Sequence, residues 1–247
     1  MVEILDGKKL REKILDELKL KIEKFPQKPS LVVILVGENP ASKIYVNNKK
    51  KTAQNLGINS EVINYPFDVT EQELLDKIEE LNNDENVTAI LVQLPLPSHI
   101  SKENVINAIS PSKDVDGFTP YNFGKLFSGS EPMVYPCTPK GILLLLDEYG
   151  IKLEGKHAVI IGRSNIVGRP LSQMFLNRNA TVTVCHSHSE NLSDIIKTAD
   201  IVVSAAGKNI VKGEMLKSGC VVVDVGIFKD ENGKTRGDVD FETSSQV

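Results

Sequence analysis

Apolar positions along this chain switch repeatedly between helical spacing and continuous β-branched runs. Leu10, Ile14, Leu18 and Ile22 stand four apart, which predicts an amphipathic helix over residues 7–25, capped by Asp6 and stopped by Pro26 and Pro29. Residues 31–36 are wholly apolar and predict a buried strand closed by Gly37. The alternation then repeats. A helix begun by Pro40 is predicted over 41–56, a strand over 60–65 and a helix over 70–81 with Thr70 and Glu73 at capping-box spacing. A buried strand over 87–94 ends at Pro95 and Pro97, and a short helix is predicted over 102–109.

Residues 119–136 are rich in Gly, Pro and Ser and read as a connecting segment. Beyond it the pattern predicts a largely buried helix over 140–149, a strand over 158–161, a helix opened by Pro170 and a strand over 181–185. A helix over 191–198 follows, then a strand over 201–204, a short helical turn over 214–217 and a buried strand over 220–225. Residues 229–247 form a polar tail. Strand and helix alternate in both halves, which predicts two α/β units with parallel sheets, divided within residues 117–135.

Composition narrows the function classes. The chain has 247 residues, 40% of them apolar and 25% charged, enough for sizeable cores in one large or two ordinary domains. A formal net charge of −4 argues against a nucleic-acid binder or a binder of anionic membranes. No apolar run approaches a bilayer span, and the opening residues lack the basic start and apolar run of a signal peptide. Three cysteines without metal-ligand spacing suit a reducing compartment, so a cytoplasmic protein with no metal is expected.

The most informative stretch is residues 157–171. An apolar strand runs into a turn holding Gly162, Arg163, Ser164 and Gly168, and a helix follows. Such a turn offers backbone N–H groups and a helix dipole to a phosphate, although glycine turns also follow strands for geometric reasons alone. At the end of the next strand, where an NAD site usually places a carboxylate, residues 185–189 have none and instead include His186 and Ser187. With Arg163 in the first turn, this favours NADP over NAD; the other reading of Arg163 is a solvated turn residue. In the first half, Tyr45 and Lys49 share a helix face at i and i+4, as a tuned lysine or as plain amphipathic decoration. Gln93 is a polar amide near the end of an apolar strand, facing either a ligand or nearby backbone. Asp114 and Asp116 flank a turn at Gly117 that reads as substrate-facing or as a simple Asp-Gly turn, without further ligands for a metal.

Taken in order, Tyr45-x-x-x-Lys49, Val92–Pro97, Lys113–Gly117, Pro136–Pro139, Gly162–Pro170, Asp224–Ile227 and Gly237–Phe241 form a joint signature. The chain resembles the bifunctional methylenetetrahydrofolate dehydrogenase/methenyltetrahydrofolate cyclohydrolase family over essentially its whole length. The resemblance implies a folate-binding catalytic domain at 1–117 and a Rossmann-like NADP-binding domain at 118–247, with a cleft between them. It implies NADP as cofactor, tetrahydrofolate derivatives as ligands and a homodimer. Lys49 is implied as the catalytic lysine, with Tyr45 orienting the folate, Gln93 bonding the lysine and Asp116 binding the pterin. Gly162, Arg163, Ser164, Ser187 and Ile227 are implied as NADP contacts. It further implies a Pro-Val-Pro-Gly-Gly-Val-Gly loop and closing helix after Gly237–Phe241, neither of which precedes Val247. A dehydrogenase acting alone, an NAD user and an inactive nucleotide-binding protein are the alternative expectations.

Overall fold

A computed structural model describes residues 2–247. They form two compact units, one of residues 7–125 with 131–135, the other of residues 2–6, 126–130 and 136–247.

In the first unit, α1 (Gly7–Ile22) precedes β1 (Ser30–Val36), α2 (Pro40–Asn55), β2 (Asn59–Tyr65), α3 (Glu71–Asn83), β3 (Ala89–Val92) and α4 (Lys102–Ala108). The strands form a parallel sheet in the order β2-β1-β3, with Leu31 opposite both Ser60 and Ala89. Side chains alternate across a strand, so a run covered on both faces must be apolar throughout. Val32, Ile34 and Val36 accordingly join a core with Leu74 and Ile78 of α3 and Val105 of α4. Val33 and Leu35 join Val46 of α2 in a second core. The strand expected over 87–94 is shorter at both ends, although the Gln93 N–H still donates to the Ile34 carbonyl at 2.9 Å. The expected stripe on α1 is buried only in part: Leu10 and Ile22 are buried, Ile14 is half-buried and Leu18 is exposed.

The expected connecting segment contains a helix, α5 (Pro120–Phe127). Asn122 on this helix is 1% exposed, and its Nδ2 donates to the Asp114 carboxylate at 3.0 Å. That bond helps tie residues 118–125 to the first unit, whereas a boundary at 117/118 would assign them to the second.

The second unit begins its main sheet after α6 (Cys137–Glu148). It contains β4 (His157–Ile161), α7 (Gly168–Leu176), β5 (Thr181–Cys185), α8 (Leu192–Lys197), β6 (Ile201–Ser204) and β7 (Val221–Asp224). The sheet is parallel, in the order β5-β4-β6-β7. Val159, Ile161 and Val202 pack with Ile196 and Ala199 on one face, and Ala158 and Ile160 are also fully buried. The expected polar tail holds a hairpin of β8 (Ile227–Lys229) and β9 (Thr235–Gly237), followed by α9 (Phe241–Ser244). The hairpin turn is closed by Asp230, which accepts from the Asn232 and Lys234 N–H groups and from Arg236 Nε at 2.9–3.0 Å. Strands this short carry no readable alternation.

In each sheet the chain leaves its first strand in one direction and later returns to that strand's other side. The switch falls between β1 and β3 in the first unit, and between β4 and β6 in the second. Open α/β sheets place ligands outside the carboxyl ends of strands at such points.

Candidate active site

In the first unit the switch point assembles polar side chains from separate parts of the chain. Asn39 accepts from the Ser42 N–H at 3.1 Å and starts α2, with Pro40 in its first turn. In the second turn of α2, Tyr45 is 56% exposed, and half-buried Lys49 lies one further turn along the same face. Lys49 Nζ donates to Gln93 Oε1 at 3.2 Å. The other end of the Gln93 amide donates to the Leu94 carbonyl at 2.8 Å, which points its oxygen at the lysine. The helix after β1 and the residue after β3 thus meet at one ammonium.

Asp116 lies in a turn built by Asp114. The Asp114 carboxylate is 2% exposed and accepts from the Gly117 N–H at 2.9 Å, the Thr119 N–H at 2.8 Å and Asn122 Nδ2. A parallel bridge between Ile90 and Asp114 sets this turn beside β3. The Asp114 carboxylate spends its acceptors on this turn, and Asp116 sits half-buried within it. Sequence reasoning did not separate them, although an Asp three residues before a Gly is a usable turn signal.

In the second unit, β4 ends in the Gly162 turn, where Gly162 takes a φ of +122°. A Cβ there would stand 2.6 Å from the Ala205 carbonyl oxygen, and a Cβ at Gly168 would overlap the Gly162 carbonyl. The helix starts at Gly168, two residues before the expected Pro170, and its N-cap Val167 supplies no side-chain cap. Backbone is therefore brought close at a helix start, where phosphates are received, and the Arg169 N–H there donates to the Ser164 carbonyl at 3.0 Å. Arg163 and Ser164 are exposed in this turn, and the Ser164 hydroxyl accepts from the Val167 N–H at 3.1 Å.

The adjacent strand β5 runs into half-buried His186 and exposed Ser187. Removal from water lowers the His186 pKa below its ordinary 6.5, and the neighbouring charges of Arg163 and His188 lower it further. The Arg163 and His186–Ser187 loops are thus electrostatic neighbours. Ile227, which is 64% exposed, opens β8 just past the end of β7. The close approach of the residue 205–208 loop and the buried carboxylate of Asp238 escaped sequence reasoning, because neither has a local signal.

Residues 5–116 match the family model described as the tetrahydrofolate dehydrogenase/cyclohydrolase catalytic domain, and residues 136–247 match the NAD(P)-binding domain of the same family. The chain is similar to "Bifunctional protein FolD" of Lactococcus lactis, with 52% identity across 99% of this chain and 87% of that protein. It is similar to the crystal structure of the bifunctional FolD dehydrogenase/cyclohydrolase from Campylobacter jejuni, with TM-score 0.96 and 50% identity over 99% of this chain and 88% of that one. A Trypanosoma brucei dehydrogenase-cyclohydrolase solved with NADP and an inhibitor has TM-score 0.92 and 36% identity, over 99% of this chain and 87% of that one.

Proposed function

This chain belongs to the tetrahydrofolate dehydrogenase/cyclohydrolase family, and from that membership we propose how its residues divide the work. The protein is an NADP-dependent enzyme of one-carbon folate metabolism, a methylenetetrahydrofolate dehydrogenase and methenyltetrahydrofolate cyclohydrolase. Relatives about as close as 52% identical are named bifunctional, which favours this function over a dehydrogenase acting alone, an NAD user or an inactive binding protein.

The observation that carries the assignment of roles is the Lys49–Gln93 pair at the carboxyl end of a parallel sheet. Oxidation leaves a methenyl cation on the folate. Water adds to its one-carbon bridge, a C–N bond opens, and formyltetrahydrofolate and a proton result. Lys49 is the group suited to move that proton, with Gln93 setting its orientation. Tyr45, one turn away, packs on or orients the folate, and Asp116 accepts from pterin N–H groups. Folate binding belongs to residues 7–125 in this division, and nucleotide binding to residues 136–247.

The second unit fits NADP because its glycines let backbone pack on backbone, Ala205 against Gly162 and Gly162 against Gly168, which sets the start of α7 at the end of β4 where a phosphate is received. When bound, NADP supplies the acceptor for the hydride released from the folate methylene bridge. Gly162 and Ser164 would line the phosphate turn, Arg163 and Ser187 would hold the additional phosphate that distinguishes NADP from NAD, and Ile227 would contact the nucleotide. The working form is proposed as a cytoplasmic homodimer. No disulfide joins Cys137, Cys185 and Cys220, which fits a reducing compartment. Among the described residues, no helix is long and apolar enough to cross a membrane.

Arg163→Ala tests the nucleotide assignment. A hydrogen bond to a charged group contributes about 1.5–3 kcal/mol, so NADP affinity should fall by roughly 10–100-fold while NAD affinity holds. An unchanged NADP/NAD ratio would remove Arg163 from the site. His186 provides a proton-linked check. Its neutral ring is favoured without ligand, and a phosphate beside it favours the cation. Calorimetry in buffers of different ionisation heat should therefore show greater proton uptake on NADP binding by the unsubstituted protein than by His186→Gln.

A further inference from the structure

The Gly237–Phe241 stretch contains a buried carboxylate with no part in the chemistry above. Asp238 is 0% exposed. Its Oδ2 accepts from the Ser204 hydroxyl at 2.8 Å, the Ala206 N–H at 2.6 Å and the Gly207 N–H at 3.2 Å, and its Oδ1 accepts from the Lys208 N–H at 2.9 Å. All these donors lie at the end of β6 or in the loop that follows it. The same loop presents the Ala205 carbonyl to the Gly162 turn.

Two close approaches fix where Asp238 lies. A Cβ at Gly226 would overlap the Asp238 carboxylate, and a Cβ at Gly237 would overlap the Asp224 carboxylate. Asp224 in turn accepts from the Asp238 N–H at 2.8 Å. The two aspartates therefore cross: Asp238 is seated against Gly226, two residues after Asp224, and Asp224 against Gly237, the residue before Asp238. The crossing joins the end of β7, where Ile227 begins, to the loop after β6, which faces Gly162 across the switch point.

We propose that Asp238 is a positioning residue for the dinucleotide, shaping the wall of the site that the residue 205–208 loop forms. The proposal rests on the assignment of NADP to the β4–β6 switch point. Three successive backbone N–H groups turned inward onto one carboxylate form a tight concave loop. That loop determines how closely a nucleotide can approach beside Gly162. Asp238 has no role in recognising the additional phosphate, which falls to Arg163, so its influence extends equally to NADP and NAD.

The test measures dehydrogenase kcat and KM, and equilibrium Kd, for both nucleotides in Asp238→Asn, Ser204→Ala and Arg163→Ala. Both Asp238 oxygens accept from donors, so the NH2 of Asn meets an N–H or O–H either way. Asp238→Asn should raise KM and Kd for NADP and NAD by about tenfold each, with kcat retained and the NADP/NAD ratio unchanged. An unfolded fraction alone lowers kcat and leaves KM in place, and that result would overturn the proposal. So would weakening confined to NADP. If Asp238→Asn does not fold, Ser204→Ala removes one donor and keeps the carboxylate; a smaller rise in KM for both nucleotides supports the proposal, and an unchanged KM refutes it. Arg163→Ala separates the two claims. A ratio that does not move in Arg163→Ala, beside a shared rise in Asp238→Asn, would sink the phosphate assignment and leave the positioning role standing.

Discussion

Replacing Lys49 with Met should lower methenyltetrahydrofolate hydrolysis by about 10²–10⁴-fold, the range over which a positioned proton-transfer group contributes. Met keeps much of the length and apolar stem of Lys but has no N–H and no titrating group. Gln93 Oε1 loses the donor it holds at 3.2 Å, while the amide stays fixed by its bond to the Leu94 carbonyl. The loss is therefore chemical rather than a collapse of the site. Lys49→Arg sharpens the point, because a guanidinium keeps the charge and the donors but does not give up its proton. Hydrolysis should remain low in Lys49→Arg if the side chain moves a proton. Recovery in Lys49→Arg would make Lys49 a donor that merely orients water. NADP affinity should be unaffected in both variants, as read by nucleotide titration.

Gly168→Ala should have the opposite profile. Its added methyl would overlap the Gly162 carbonyl and stand 3.0 Å from the Arg163 N–H. Both neighbours are backbone, so neither can yield as a flexible side chain does. The turn must open, which moves the start of α7 away from the end of β4. Overpacking of this kind costs about 1–3 kcal/mol, and the displaced N–H groups no longer converge on a phosphate. NADP affinity should fall by about 100-fold or more, with a lowered thermal midpoint that added NADP restores poorly. Hydrolysis without nucleotide should hold, because Lys49 and Gln93, the residues proposed for it, do not belong to this turn.

Much of this was legible before the structure, for reasons that differ from place to place. The apolar runs at β1 and β4 announced buried parallel strands because both of their faces are covered. The turn holding Gly162, Arg163 and Gly168 was legible because strand, glycine turn and helix start follow one another within a few residues. The Tyr45–Lys49 face followed from helical period alone. Its meeting with Gln93 was expected only through the family resemblance, since it depends on β3 lying beside β1, a contact 44 positions apart in sequence. Asp238 was missed because its donors lie 30–34 positions away, whereas the donors to Asp114 stand only three to eight residues on, so its role in the turn had a local signal that went unread. Helix α5 was hidden by the Gly, Pro and Ser content of its surroundings, and β8 and β9 by their brevity.

The central claim is that proton work and nucleotide work lie on different residues of one chain. The most direct measurement is the rate of methenyltetrahydrofolate hydrolysis with no nucleotide present, for Lys49→Met and Gly168→Ala side by side at a temperature where both are folded. Near-complete loss is expected in Lys49→Met and an undiminished rate in Gly168→Ala. Hydrolysis that survives in Lys49→Met, or that falls equally in both, would contradict the claim.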